Sequence, residues 1–268
     1  MSEFLLEIDL QAFHELDEFA LLACQDYNYG NENDWFGAFR GGLYGTYARI
    51  HGVVTHYYAV HTWAPKPRPP TETEYHLASA CFHMDSAIEC MTFALNALGF
   101  CAKPALFRNI AEPSALRRVS PYDILGKDKT SPPCPALAGY SMIFPAVQKC
   151  WKSHETMLST IFEQHDVSKH RETIYIGGMA RRDPPPGFYE SIGVSEDASQ
   201  RAMFWPMKEI ILKNEPKTPH AKRVSQTREN HVLFEDIVPQ FRDLILETGL
   251  LALNDARRNI ELRVRDFK

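Results

Sequence analysis

The six cysteines include no CxxC pair, which removes the usual frameworks of zinc knuckles and thioredoxin-type redox sites. No stretch stays apolar and uncharged long enough to cross a bilayer. There is no basic excess: the formal net charge is −5, so no overall positive field draws in nucleic acid or anionic lipid, and such a ligand needs a local basic patch. Serine-hydrolase elbows, P-loops and dinucleotide fingerprints are missing. The run "GGMARR" lacks the GxGxxG spacing and the helix that must follow it. Paired Glu-x-x-His motifs, which di-iron bundles need, are also lacking. No cofactor and no metal are expected. The sequence has no internal repeat and no low-complexity tract.

What is present is ordinary globular material, 44% hydrophobic and 24% charged over 268 residues, enough for a sizeable core. Several cysteines fall inside apolar helical patterns and read as small buried hydrophobes in a reducing compartment. The opening "MSEFLLEIDL" carries acids and no basic start, so no secretory leader is expected. A cytoplasmic protein is the expectation.

Helical periodicity dominates the chain. Phe13, Leu16, Phe19 and Ala23 recur at helical spacing over about residues 10–24. Asp34 suits the cap of a second helix over about 35–63, stopped by the proline cluster "APKPRPP". "TETE" opens a third helix over about 71–99. Leu77, Cys81, Met84, Ile88, Met91, Leu95 and Leu98 form one apolar stripe on it. Tyr75, Phe82, Phe93 and Phe100 form a second, roughly opposite. A helix apolar on two sides belongs in the middle of a bundle. Residues 103–139 read as irregular. A fourth helix is expected over about 144–164, and the last long one over about 234–263. Between these two, "ETIYIGG" and "MKEIILKN" read as strands. The fold class expected is mainly α: a single bundle of four to five long helices over residues 1–268, with a small two-stranded β insertion at about 172–214.

Candidate chemistry lies on the second and third helices and just after the fourth. Gly37, Gly41 and Gly45 share a helix face that admits close approach, either of another helix or of a flat ligand. His51, His56 and His61 are five residues apart, a spacing that scatters them around the axis. On the third helix His76, His83 and Cys90 recur every seven residues. Asp85, Glu89 and Asn96 form a second polar line, on a helix expected to be buried, where a carboxylate requires a partner. Arg49, Lys169 and Arg171 are candidates for that role. "DVSKHRETIYIGG" places Asp166 and Ser168 as helix breakers, with His165 at the helix end and His170 and Arg171 beyond it. That stretch reads either as a helix-to-strand handover or as an anion site. His76, His83, Asp85, Glu89, His170 and Arg171 are thus candidate ligand-binding residues.

The segments "YHLASACFHMDSAIECMTFALNALG", "SKHRETI" and "NDARRNIE" together resemble bacterial HEPN-like helical bundles. The resemblance implies a binding or regulatory module, associated with RNA or a nucleotide and dimeric. Catalytic members of that superfamily are metal-independent ribonucleases with an arginine and a histidine close together on one helix. Arg49 and His56, in "RIHGVVTH", match that pair and share a face at nearly two turns. The resemblance then implies that His56 handles the 2′-hydroxyl proton and Arg49 steadies the charged transition state. The competing reading is a small-molecule or metal site built from the third-helix polar residues.

Overall fold

The computed structural model describes residues 8–27, 35–61, 70–127, 136–170, 175–181, 208–212 and 232–262. They are mainly helical. The long elements are α1 (Gln11–Tyr27), α2 (Trp35–His61) and α3 (Pro70–Ala102). After a 3₁₀ turn at Pro104–Leu106 come two short helices, α4 (Pro113–Leu116) and α5 (Pro121–Leu125). Then follow α6 (Ala136–Ile143), α7 (Pro145–Ser153) and α8 (Glu155–His170). The last is α9 (Phe234–Asn259).

Helix α3 is the central element. It runs along α2 for most of its length and also meets α5, α6 and α8. Its first expected stripe is fully buried, from Leu77 through Met84 and Met91 to Leu98. The second stripe is not. Tyr75 is 62% exposed and Phe82 39%, while Phe100 is buried. The N-terminal half of α3 therefore has one wet edge, and that edge becomes the site described below.

The α2–α3 hairpin is antiparallel and unusually close. A Cβ on Gly42 would lie 2.7 Å from the backbone nitrogen of Ala94 and from the carbonyl oxygen of Cys90. Only glycine permits that approach. The expected face of Gly37, Gly41 and Gly45 needs correction, because nothing lies within 4 Å of a Cβ at Gly41. The seam instead follows Gly42, Gly45, Arg49, Gly52 and His56. Their alternating spacings of three and four hold a single line on a helix packed against a neighbour.

Residues 103–139 are more ordered than their prolines suggest. Asn96 of α3 clamps the loop by bonding both backbone groups of Arg108, donating from Nδ2 to its carbonyl (3.0 Å) and accepting from its N–H (3.1 Å). Arg108 in turn donates to both oxygens of Asp123, each at 2.7 Å. Asp123 also closes a capping box with Ser120 at the start of α5.

The expected fourth helix is two helices. The break is at His154, whose backbone leaves the helical region (φ −105°, ψ 16°). Ser153 Oγ caps the freed end by donating to the Cys150 carbonyl at 2.7 Å. Helix α8 then runs past Asp166, so the expected breakers do not break it. Ser168 Oγ donates to the His165 carbonyl within the helix (2.9 Å) instead.

Helix α9 ends in "NDARRN", and its polar residues turn inward as well as out. Buried Asp255 accepts from the N–H groups of Ala146 (2.8 Å) and Val147 (3.2 Å), capping α7 from a distant part of the chain. Asn259 donates to the Ile143 carbonyl (2.9 Å), the end of α6. Of the arginines, Arg257 pairs with Glu15 of α1 (3.1 Å). Burial raises the Asp255 carboxyl, and the two backbone bonds oppose that rise.

Of the expected insertion at 172–214, only two segments are described. β1 (Tyr175–Arg181) and β2 (Lys208–Leu212) pair antiparallel, with an irregularity between Tyr175 and Met179. β3 (Val232–Leu233) adds to β2 and leads straight into α9. Among the described residues the ladder is three-stranded where two strands were expected. The third strand lacked a sequence signal because two residues are too few to show alternation.

Candidate functional site

The wet edge of the α2–α3 hairpin gathers the basic candidates. Arg49 and His56 project from one line of α2, with Gly52 between them. His76 and His83 project from the facing line of α3. His56 Nδ1 lies 3.0 Å from His76 Nδ1. The His83 ring stacks on His56, with centroids 5.4 Å apart and planes 20° apart. Arg49 Nη1 reaches His83 Nδ1 at 3.5 Å, a long contact in which the guanidinium is the donor. Its Cζ sits 5.0 Å from the Phe82 ring centroid, in cation–π range. Gly52 makes room for His83, since a Cβ there would come within 2.7 Å of the imidazole.

Tyr75 borders the same cluster, with its ring edge-on to both His56 (5.9 Å) and His76 (5.2 Å). The exposed Tyr75 and Phe82 rings therefore flank four nitrogen-bearing side chains. Among the described residues Arg49 has no carboxylate partner; the ion pairs lie elsewhere.

The expected single ligand set splits in two here. Asp85 faces α8, not α2, and pairs with His165. Phe82 stands between the two groups, with Arg49 over it on one side and His165 edge-on to it at 5.5 Å. Glu89 was expected to be buried. It is exposed, because the +4 step from Asp85 carries it to the rim where α3 meets α8. Partial burial and then the Asp85 charge push its carboxyl up, while His165 and Lys169 pull it back. His170 ends α8, but its side chain lies outside the described residues, as does Arg171. Cys90 sits deeper in the seam, with its Sγ against Gly45. Burial raises its thiol, and nearby Arg49 partly offsets the rise.

Among the described residues no three His, Cys, Asp or Glu side chains are grouped to hold a metal. His56 and His76 turn their Nδ1 atoms on each other, and His83 lies flat on His56. No helix among the described residues is long and apolar enough to cross a membrane.

His56 and His83 are held toward their neutral forms. Burial lowers His56, and the His76 charge lowers it further. Burial lowers His83, followed by His56 and Arg49. The consequence for stability has a definite sign. A histidine whose folded value lies below its ordinary 6.5 stabilises the fold fully above that value and loses the contribution as pH falls through it. Urea midpoints are therefore expected to drop between neutral pH and the mildly acidic range. His83→Gln should flatten that dependence. A midpoint that rises on acidification would contradict the cluster's effect.

No family model matches the sequence, and neither a curated protein nor a solved structure is found to match it.

Proposed function

We propose that the α2–α3 edge binds a phosphate group of RNA or of a nucleotide, as a HEPN-like binding module would. One observation carries the reading: the Arg49 guanidinium has no carboxylate partner among the described residues and touches His83 at one end of a three-histidine chain along a solvent-facing edge. Such a guanidinium is suited to a phosphate, which it can engage through parallel N–H donors. The imidazoles add N–H donors to the same anion. Exposed Phe82 beside the cation and exposed Tyr75 beside His56 and His76 supply ring faces and edges, which favours a ligand carrying a nucleobase over bare phosphate.

A second reading is supported by the His56–His76 contact. Arg49 and His56 together hold what metal-independent RNA cleavage asks of a site. That is an imidazole that burial holds toward its neutral, proton-accepting form for the 2′-hydroxyl proton, and a fixed cation for the charged transition state.

Both readings are tested with a labelled single-stranded oligoribonucleotide in the presence of EDTA. Arg49→Gln is expected to weaken binding by about 10- to 100-fold, the worth of a charge-assisted hydrogen bond. His56→Ala is expected to reduce cleavage by about 10²- to 10⁴-fold while the helical circular dichroism persists. Binding unchanged by Arg49→Gln overturns the first reading. Cleavage unchanged by His56→Ala overturns the second.

A further inference from the structure

We infer that His56 and His76 act as one proton-sharing couple, so that this edge takes up a phosphate dianion together with a proton from water. The inference rests on the phosphate reading above and narrows its ligand to phosphomonoesters.

Two imidazole nitrogens 3.0 Å apart cannot both carry a hydrogen, nor can both be bare, if they are to bond. One Nδ1 donates and the other accepts. In the neutral couple the donating ring then has a bare Nε2, and the accepting ring has a protonated one. The couple therefore offers an incoming anion one N–H and one lone pair. A lone pair repels a phosphate oxygen until it gains a proton.

The surroundings oppose that proton in the free protein. From α3, His76, His83 and Tyr75 face His56; from α2 itself, Arg49 lies two turns back and touches His83. On the α8 side, His165 is tied to Asp85 beyond Phe82. Of the groups in contact with His56 none is a carboxylate, and the neighbouring charge that opposes its proton is that of His76; Glu72 stands one turn before His76 on α3. A phosphate dianion reverses the balance. Arg49 and one imidazolium together match its two charges. The only bond formed is N–H, at the bare Nε2, and the proton comes from solvent. An internal phosphodiester carries one charge, which Arg49 alone meets, so it brings no proton with it.

Calorimetry at pH 7.5 in two buffers of different ionisation enthalpy reads the proton directly. Uridine 5′-monophosphate is expected to bind with uptake of about one proton, and dimethyl phosphate to bind more weakly with none. His76→Gln should remove the uptake. A second measurement needs no ligand: the His56 ring resonance is followed against pH in the free protein. His76→Gln should move the His56 titration upward, because it deletes a neighbour that opposes the His56 charge. Monophosphate binding without proton uptake overturns the inference and leaves the phosphate reading standing. So does a short RNA that binds when the monophosphate does not. If neither binds, the phosphate reading and the inference fall together. A His56 titration that ignores His76→Gln overturns the couple whatever the ligand does.

Discussion

Replacing Asp123 with alanine is expected to lower the unfolding free energy by about 3–5 kcal/mol, the usual result of removing one partner from a buried ion pair. Asp123 is only 1% exposed and receives two 2.7 Å bonds from Arg108. The substitution withdraws both from an arginine side chain that is only 13% exposed. It also removes the acceptor for the Ser120 N–H (3.3 Å) and so opens the capping box of α5. Asn96 fixes the Arg108 backbone onto α3, so the guanidinium can relax only through its own side-chain torsions. The loss is large against a typical total of about 5–15 kcal/mol. Urea denaturation checks it, with a lower midpoint at an unchanged slope. Asp123→Asn keeps the shape and one acceptor, so it should cost less than alanine does. A change below about 1 kcal/mol for the alanine variant would mean that water replaces the carboxylate and that the clamp contributes little.

The long helices were legible because their apolar periodicity is strong, and their ends came within a few residues of the expected ones. The described end of α2, His61, lies two residues before the expected one. The break at His154 was not legible, since neither glycine nor proline marks it. It coincides with Ser153 bonding back to the Cys150 carbonyl, a choice a serine has in many contexts and one that Ser168 makes without any break. Asp166 and Ser168 show the converse. They are good breakers by composition, yet the packing of α8 on α3 keeps them helical, and tertiary packing outweighs local preference.

The candidate site divides in the same way. Arg49 and His56 on one face, and His76 with His83 on another, follow from helix geometry alone. That these two faces meet depends on the register of α2 against α3, and register is set by packing. Its trace in the sequence was the set of glycines at 42, 45 and 52. Reading glycines at every fourth position selected Gly37 and Gly41 and missed Gly52, which seats His83. Asp85 and Glu89 were grouped with the histidines because all lie on α3. A two-residue step from His83 to Asp85 is about 200° around the axis, enough to send the carboxylates to α8 and the imidazoles to α2.

Gly42→Val and Gly41→Ala are expected to change stability in opposite directions, although the two positions are adjacent. At Gly42 the first added carbon would already stand 2.7 Å from two backbone atoms of α3. Backbone cannot rotate aside as a side chain can, so α2 and α3 must separate. Overpacking of this kind costs about 1–3 kcal/mol and sometimes more, and valine's second branch adds to the strain. At Gly41 a methyl meets nothing within 4 Å, and alanine in a helix interior is worth up to about 1 kcal/mol over glycine. The seam also positions the basic cluster, because the same α2–α3 spacing brings His56 to His76. Gly42→Val should therefore weaken oligoribonucleotide binding along with stability, whereas Gly41→Ala should leave binding unchanged while raising the thermal midpoint. If both variants lost stability alike, the seam would not lie along Gly42, Gly45 and Gly52. The facing of Arg49 and His56 toward His76 and His83 would then lose its structural basis.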